Sequence, residues 1–279
     1  MISYGQALWL GVLQGVTELF PISSLGHSVV ISGLAGWSST NNPGNVLVFL
    51  VATHFATAIV LIAFYGREWV KIIAGIFRSL VRWRIETNTE RLGWLLVLAT
   101  IPAGLVGLAL QKHLAALFVS ARLVAGVLIL NGIVLAATEI IIRRRAGALQ
   151  KRNPAQLTFR QAFFVGLTQV LALIPGFSRT GMTMSGGILS SLDRESAMRF
   201  SFLLSGPIIL AAAVLKLPHL ASASGHALLG PSLVGALAAA VASYISIKFL
   251  SRYFEKSSNN LIPFALYCIV AGLIAFILL

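Results

Sequence analysis

Apolar runs of about twenty residues recur along this chain, and polar residues gather in the short stretches between them. Six runs, roughly 46–65, 92–111, 120–142, 197–217, 227–250 and 261–279, predict bilayer-spanning helices, each of which needs about 20 residues. Two pairs of shorter apolar pieces, about 5–20 with 24–36 and 160–174 with 180–192, flank breaks rich in Pro, Gly and hydroxyls. Each piece is too short to cross comfortably. Each pair therefore predicts a re-entrant hairpin, entering and leaving on one side.

The two breaks are alike. The first reads Gly11-x-x-Gln14, then Pro21-Ile22-Ser23-Ser24-Leu25-Gly26-His27. The second reads Gly166-x-x-Gln169, then Pro175-Gly176-Phe177-Ser178-Arg179-Thr180-Gly181, 154 to 155 residues further on. Broken helices at matching places in two halves point to a site at the membrane midplane. Non-helical backbone is tolerated there only where protein buries it or it lines a cavity. Pro102 and Pro207 fall inside spans and predict kinks, but at non-matching positions, so they carry no functional weight. Gly104 and Gly107 predict close helix approach.

Composition agrees with a membrane protein of many spans: 57% of the 279 residues are hydrophobic and 10% charged, against about a quarter charged in a soluble domain. The net charge of +13 would suit nucleic acid, but the basic residues lie in short loops between apolar runs. The single thiol, Cys268, excludes an internal disulfide and a multi-cysteine zinc site, and reads as a small packing residue. No cleavable leader is expected: a basic start is missing, and Gln14 and Glu18 interrupt the first apolar run.

Charge sets the orientation. Arg67, Lys71, Arg78, Arg82, Arg84 and Arg91 lie in the 66–91 loop, and Arg143, Arg144, Arg145, Lys151, Arg152 and Arg160 in the 143–160 connector. With Arg194, Arg199, Lys248, Arg252 and Lys256 these make 17 of the 21 basic residues, and placing them in the cytoplasm gives one self-consistent topology. Lys112, Arg122 and Lys216 fall on the other side, as do His113, His219 and His226 in outer loops. The first hairpin then dips in from outside and the second from the cytoplasm, each followed by three crossings in opposite senses. The predicted fold is an all-α integral membrane protein, six transmembrane helices plus two re-entrant hairpins in an inverted-topology repeat. Its parts are 1–142 (first repeat), 143–159 (basic cytoplasmic connector) and 160–279 (second repeat).

Of eight acidic residues, Glu68, Glu86, Glu90, Asp193, Glu195 and Glu255 lie in or beside predicted cytoplasmic segments and read as solvated. Glu139 is expected to pair with Arg143. Glu18 remains, four residues after Gln14 and on the same helix face. An ionisable residue at that depth is a functional candidate, against the plainer reading of a protonated structural carboxyl. Arg179 is the only basic residue that this topology puts inside the membrane. Its planar fork suits phosphate or carboxylate oxygens, and the surrounding glycines and hydroxyls can open a nest of backbone N–H groups. The plainer reading is that Arg179 neutralises Glu18. His27 shares its short loop with two serines and is a candidate proton carrier. His54 lies within a span with no break and no acid near it in sequence, which favours a structural or supporting role. One carboxylate, one imidazole, several hydroxyls, one guanidinium and a glycine-rich anion cradle fit hydrolysis of a lipid-borne phosphate anhydride.

At these residues the chain strongly resembles the undecaprenyl-diphosphate phosphatase family, also called the bacitracin-resistance protein family. One family signature is Glu or Gln, three residues, then Glu, here Gln14-Gly15-Val16-Thr17-Glu18 followed by Pro21 to His27. The other is Pro-Gly-x-Ser-Arg-x-x-x-Thr, here Pro175 to Thr183. The resemblance covers essentially the whole chain. It implies removal of one phosphate from undecaprenyl diphosphate, recycling the lipid carrier of cell-wall precursors and conferring bacitracin resistance. It implies Glu18, His27 and Arg179 as catalytic residues, with Ser24, Ser178 and Thr183 as supporting or nucleophilic hydroxyls. It also implies a divalent cation (Mg2+ or Ca2+), a homodimer, and a site in the bacterial inner membrane open to the periplasm. Leu25 stands where the family often has Thr, and Gln14 leaves one carboxylate fewer for a metal.

In the resulting scheme Arg179 and the 176–181 turn hold the diphosphate, with Ser23, Gly26, Gly176, Ser178, Thr180 and Thr183 as binding candidates. A cation bridges phosphate oxygens and Glu18, with Gln14 as a candidate further ligand. His27 is the general acid or base. The nucleophile is either Ser24 or a water. A transporter or flippase of a phosphorylated polyprenyl lipid is the rival, since inverted repeats with broken helices are a transporter architecture. Glu18 and His27 argue against it, because phosphate binding alone needs neither.

Overall fold

A computed structural model describes residues 2–36, 43–110, 120–144, 152–220, 229–256 and 259–279, without the side chains of 43–48 and 212–220. Lys112, His113, Arg145, Lys151 and His226 lie outside the described residues, as do most of the 218–226 loop and the side chain of Lys216. The described residues form helices α1 (Tyr4–Thr17), α2 (Ser24–Leu34), α3 (Pro43–Phe64), α4 (Gly66–Arg82), α5 (Asn88–Ala109) and α6 (Ala121–Arg144). They continue with α7 (Phe159–Leu171), α8 (Arg179–Leu189), α9 (Arg194–Leu220), α10 (Leu229–Glu255) and α11 (Ile262–Leu278). No strand occurs among them. The six predicted spans fall on α3, α5, α6, α9, α10 and α11, and the two predicted hairpins on α1–α2 and α7–α8. His219, expected in a loop, falls in the last turn of α9.

Among the described residues α5, α6 and α10 are each long and apolar enough to cross a bilayer alone. The helices of the hairpins are not. The 14 residues of α1 reach about 21 Å at about 1.5 Å per residue, against a hydrocarbon core of about 30 Å. Both hairpins start with the same device. Ser3 caps α1 in a box with Gln6, and Thr158 caps α7 in a box with Gln161. The two boxes use the positions that the break motifs also match, 155 residues apart.

The two C-terminal helices bury mostly small residues and expose large apolar ones. On α10, Gly235, Ala239, Ser243 and Ser246 are buried while Leu233, Leu237, Val241 and Ile245 are exposed. On α11, Ala265, Cys268, Gly272 and Ala275 face inward and Leu266, Val270, Leu273 and Ile277 outward. That is the packing logic of helices in lipid, where small residues let backbones approach and the exterior matches the acyl chains. The close approaches lie at Gly11 against Gly235, Gly166 against Ala99 and Pro102, Gly132 against Ala265, and Gly272 against Ala125. A Cβ on Gly166 would lie 2.6 Å from the Ala99 carbonyl oxygen. Gly104 and Gly107, expected in this role, are corrected: Gly104 meets nothing within 4 Å and Gly107 only the Leu173 side chain. Pro102 packs against Gly166 of the second hairpin.

Packing crosses between the halves. α1 lies along α10, α7 along α5, and α6 along α11. This crossing brings both breaks to the middle of the bundle. Two further expectations are corrected. Part of the predicted 66–91 loop is the helix α4, which turns 82° away from α3. Glu90 is not solvated but buried, receiving the amides of Glu86 and Thr87 at 2.8 and 3.1 Å to close the cap of α5. Glu139 pairs with Arg143 at 3.2 Å as expected, and also receives Arg194 and the Leu261 amide.

Candidate active site

α1 ends at Glu18, whose amide still donates to the Gln14 carbonyl. One turn apart, the two side chains meet: Gln14 Nε2 donates to Glu18 Oε2 at 3.0 Å. The chain then breaks through Pro21 and reaches Ser23 at φ 70°, a left-handed conformation uncommon for a residue other than glycine. Ser23 caps α2, its hydroxyl accepting from the Gly26 amide at 3.2 Å. In the second break Gly176 takes φ 106°, and Ser178 caps α8 by accepting from the Gly181 amide at 3.1 Å. The residues that follow the two caps, Ser24 and Arg179, are therefore the first residues of matching helices. Both reach the same carboxylate. Ser24 Oγ donates to Glu18 Oε2, and Arg179 Nη2 donates to Glu18 Oε1.

The tips of the breaks touch. A Cβ on Gly26 would lie 3.1 Å from Gly176 Cα, and one on Gly181 would lie 3.3 Å from the Pro21 carbonyl oxygen. Thr180 Oγ1 donates to the Glu18 carbonyl at 3.2 Å, and Ser178 Oγ to the Phe20 carbonyl at 3.3 Å. Asn131 of α6 fastens both breaks with one carboxamide. Its Nδ2 donates to the Pro21 carbonyl at 3.0 Å and its Oδ1 accepts the Ser178 amide at 2.9 Å. Thr183 is committed to the Arg179 carbonyl at 2.8 Å and to Ser201 Oγ at 2.5 Å, holding the first turn of α8 against α9.

The imidazole against the acid is His54 of α3, not His27. His54 Nε2 lies 3.3 Å from Glu18 Oε2, and its Nδ1 contacts the Leu50 carbonyl at 2.8 Å. A carbonyl only accepts, so Nδ1 carries hydrogen, and a proton must lie between Nε2 and Oε2 for that contact to be favourable. This corrects the view of His54 as a residue without an acid nearby. His27 stands at the start of α2 with Nδ1 on the Ser23 carbonyl at 2.7 Å and Nε2 on the Tyr267 hydroxyl at 2.9 Å, its ring stacked on Tyr267. None of its hydrogen bonds reaches Glu18 or Arg179. Gln169, the counterpart of Gln14, is buried without a partner and makes no bond to the carboxylate.

Two buried polar atoms beside Glu18 have no partner: Gln14 Oε1, an acceptor, and Arg179 Nη1, a donor. Leaving such atoms unpaired costs about 1–3 kcal/mol each, which marks a place where a ligand completes the pairing. The donor set gives the fit for a divalent cation. Glu18 and Gln14 Oε1 are oxygen donors of the kind a hard ion takes, and no group of three His, Cys, Asp or Glu converges among the described residues. Such an ion would need its remaining oxygens from a bound ligand.

Sequence reasoning missed two residues here, Tyr267 and Asn131, and gave His54 a supporting role without its partner. His54 and Tyr267 lie in unbroken spans with no local sign of their partners. Asn131 had a signal, a carboxamide in the middle of the 120–142 run, and lies fully buried.

Residues 7–274 match the family described as Bacitracin resistance protein BacA. The chain is 47% identical over 267 residues to Undecaprenyl-diphosphatase 1 of Burkholderia pseudomallei (strain K96243), covering 95% of this chain and 93% of that one. It is 48% identical over 267 residues to Undecaprenyl-diphosphatase 2 of Burkholderia thailandensis, at the same coverage. Undecaprenyl-diphosphatase of Mycolicibacterium paratuberculosis is 42% identical over 293 residues, covering 97% and 95%.

Proposed function

The chain belongs to the bacitracin resistance protein BacA family, and on that premise we propose that it is an undecaprenyl-diphosphatase whose chemistry is centred on Glu18. It hydrolyses undecaprenyl diphosphate to undecaprenyl phosphate and inorganic phosphate. The observation that carries the reading is the convergence of Ser24 and Arg179, from two separate breaks, on one buried carboxylate with unpaired atoms on either side.

In the mechanism, Arg179 exchanges Glu18 for the diphosphate, with Nη1 already free to donate. With the shared proton on His54, Glu18 is an anion and accepts the proton of Ser24. Ser24 Oγ bonds to the terminal phosphorus and the bond to the bridging oxygen breaks. That oxygen departs as part of undecaprenyl phosphate and needs no proton. Water then attacks the phosphoserine, releasing phosphate and restoring Ser24. Direct attack by a water held at Glu18 is the second route; the bond from Ser24 to Glu18 supports the first. A divalent ion would be held by Glu18 and Gln14 Oε1, and when bound it neutralises charge on phosphate oxygens. Ser23, Gly26, Gly176, Ser178, Thr180 and Thr183 shape the turns at the phosphate. His27, tied to Tyr267, holds the turn at Ser23.

The arrangement in the membrane belongs to the same proposal. Crosswise packing of α1 on α10 and α7 on α5, with matched capping boxes, supports an inverted repeat of six crossings and two hairpins. The basic segments then lie in the cytoplasm, and the site opens to the periplasm of the inner membrane. A homodimer is carried over from the family resemblance.

The test is phosphate release from a polyprenyl diphosphate in detergent, where vectorial transport is abolished and hydrolysis is not. Arg179→Ala and Glu18→Ala are expected to abolish release. Radiolabelled phosphate trapped on wild type but not on Ser24→Ala supports the covalent route. Full activity of Ser24→Ala removes it, and absence of any release favours a lipid carrier.

A further inference from the structure

The helix α4 has three distinct faces. Ile72, Gly75 and Ser79 pack inward. Val70, Ile73, Phe77, Leu80 and Val81, spaced three and four residues apart, form an exposed apolar stripe. Arg67, Lys71, Arg78 and Arg82 recur along the third face. The helix ends at Trp83, left-handed at φ 55° and 91% exposed. With α3 crossing the bilayer, the 82° bend lays α4 along the membrane surface. Its apolar stripe then meets acyl chains, its basic stripe meets headgroups, and Trp83 takes the interfacial position that such rings favour.

At the start of α4 this basic face opens on a cleft of about 320 Å³, lined by Arg67, Glu68, Lys71, Asn88, Thr89 and Arg199. Glu68 is taken by Arg199 at 2.7 Å. Arg67 and Lys71 make no ion pair among the described residues. Asn88 and Thr89 open α5, where amides lack partners within the helix. Arg67, Lys71 and a helix start therefore face one cleft, and the basic face that carries the two cations borders the apolar stripe at Val70. We propose that this cleft binds the phosphate headgroup of an anionic phospholipid, with its tails along the apolar face of α4. The site is independent of the reaction at Glu18; it rests on the orientation of α3.

The test is titration of full-length protein in neutral detergent with a fluorescent phosphatidylglycerol. Removing two cations from the cleft, Arg67→Gln with Lys71→Gln, is expected to weaken binding by about thirtyfold. Arg78→Gln with Arg82→Gln, on the same helix but outside the cleft, is expected to weaken it less than about threefold. Phosphate release in neutral detergent should be unchanged in the cleft variant, which also reports that it folds. Millimolar inorganic phosphate should not displace the lipid. Equal weakening by both pairs would reduce the effect to diffuse charge and overturn the site. So would unchanged affinity of the cleft variant. Full displacement by inorganic phosphate would reassign the cleft to a soluble anion.

Discussion

Replacing Glu18 by Gln keeps the shape of the side chain and removes its charge, which separates two roles. Arg179, 15% exposed at its side chain, then loses the one counter-charge it has among the described residues, and a single carbonyl oxygen is left where Gln14, Ser24, His54 and Arg179 shared two. Breaking one side of a buried pair costs about 3–5 kcal/mol, because the remaining charge stays desolvated. At roughly 2–4 °C per kcal/mol this lowers the unfolding temperature by about 10 °C. Arg179→Met leaves Glu18 with His54, Ser24 and Gln14 as partners and is expected to cost less. The double variant Glu18→Gln with Arg179→Met removes both charges, so its loss should fall short of the sum by about 2 kcal/mol or more. Activity should behave otherwise: each single variant and the double lose at least ~100-fold in phosphate release, since each removes charge stabilisation of the transferring group. Scanning fluorimetry and a phosphate assay on the four proteins measure both. Additive stability losses would show that the two side chains are not energetically paired, and the reading of the site would fail with them.

Three further outcomes follow from the same geometry. Asn131→Leu leaves the Pro21 carbonyl and the Ser178 amide unpaired and should cost about 2–4 kcal/mol, with a loss of activity seen in the phosphate assay; wild-type turnover would show that the breaks hold their places without it. His54→Gln, which retains a donor for Glu18, should keep activity within about tenfold, whereas His54→Phe should lose about 100-fold; equal activity of the two would remove His54 from the chemistry. Gly176→Ala places a Cβ 2.7 Å from both the Val124 carbonyl and Val127 at φ 106°, and should lower the unfolding temperature by several degrees, read by fluorimetry.

The parts legible in the sequence were those where lipid leaves little choice. Glu18 and Arg179 stand out because a charge in an apolar run needs a partner, and few other charges were placed at that depth. The breaks stand out because Pro and Gly interrupt helices in both halves with the same spacing. What escaped depends on which way a helix turns. His54 lies in a run where neither neighbour breaks the helix, so only the rotation of α3 reveals that it faces Glu18. Gly104 and Gly107 look like packing residues, but the close approach of α5 to α7 lies earlier in the helix, at Ala99 and Pro102. The 66–91 segment reads as a loop because its charges dilute its apolar residues, yet those charges fall on one face of a helix.

The clasp between Arg179 and Glu18 makes the resting enzyme its own competitor. Any incoming anion must outbid a carboxylate already in place. A diphosphate, with more charge to offer the guanidinium, is equipped to do so, while the singly phosphorylated lipid and free phosphate are weaker contenders. As turnover lowers the charge at the headgroup, the carboxylate regains its hold. On the mechanism proposed above, the ion pair seen at rest would also eject spent product.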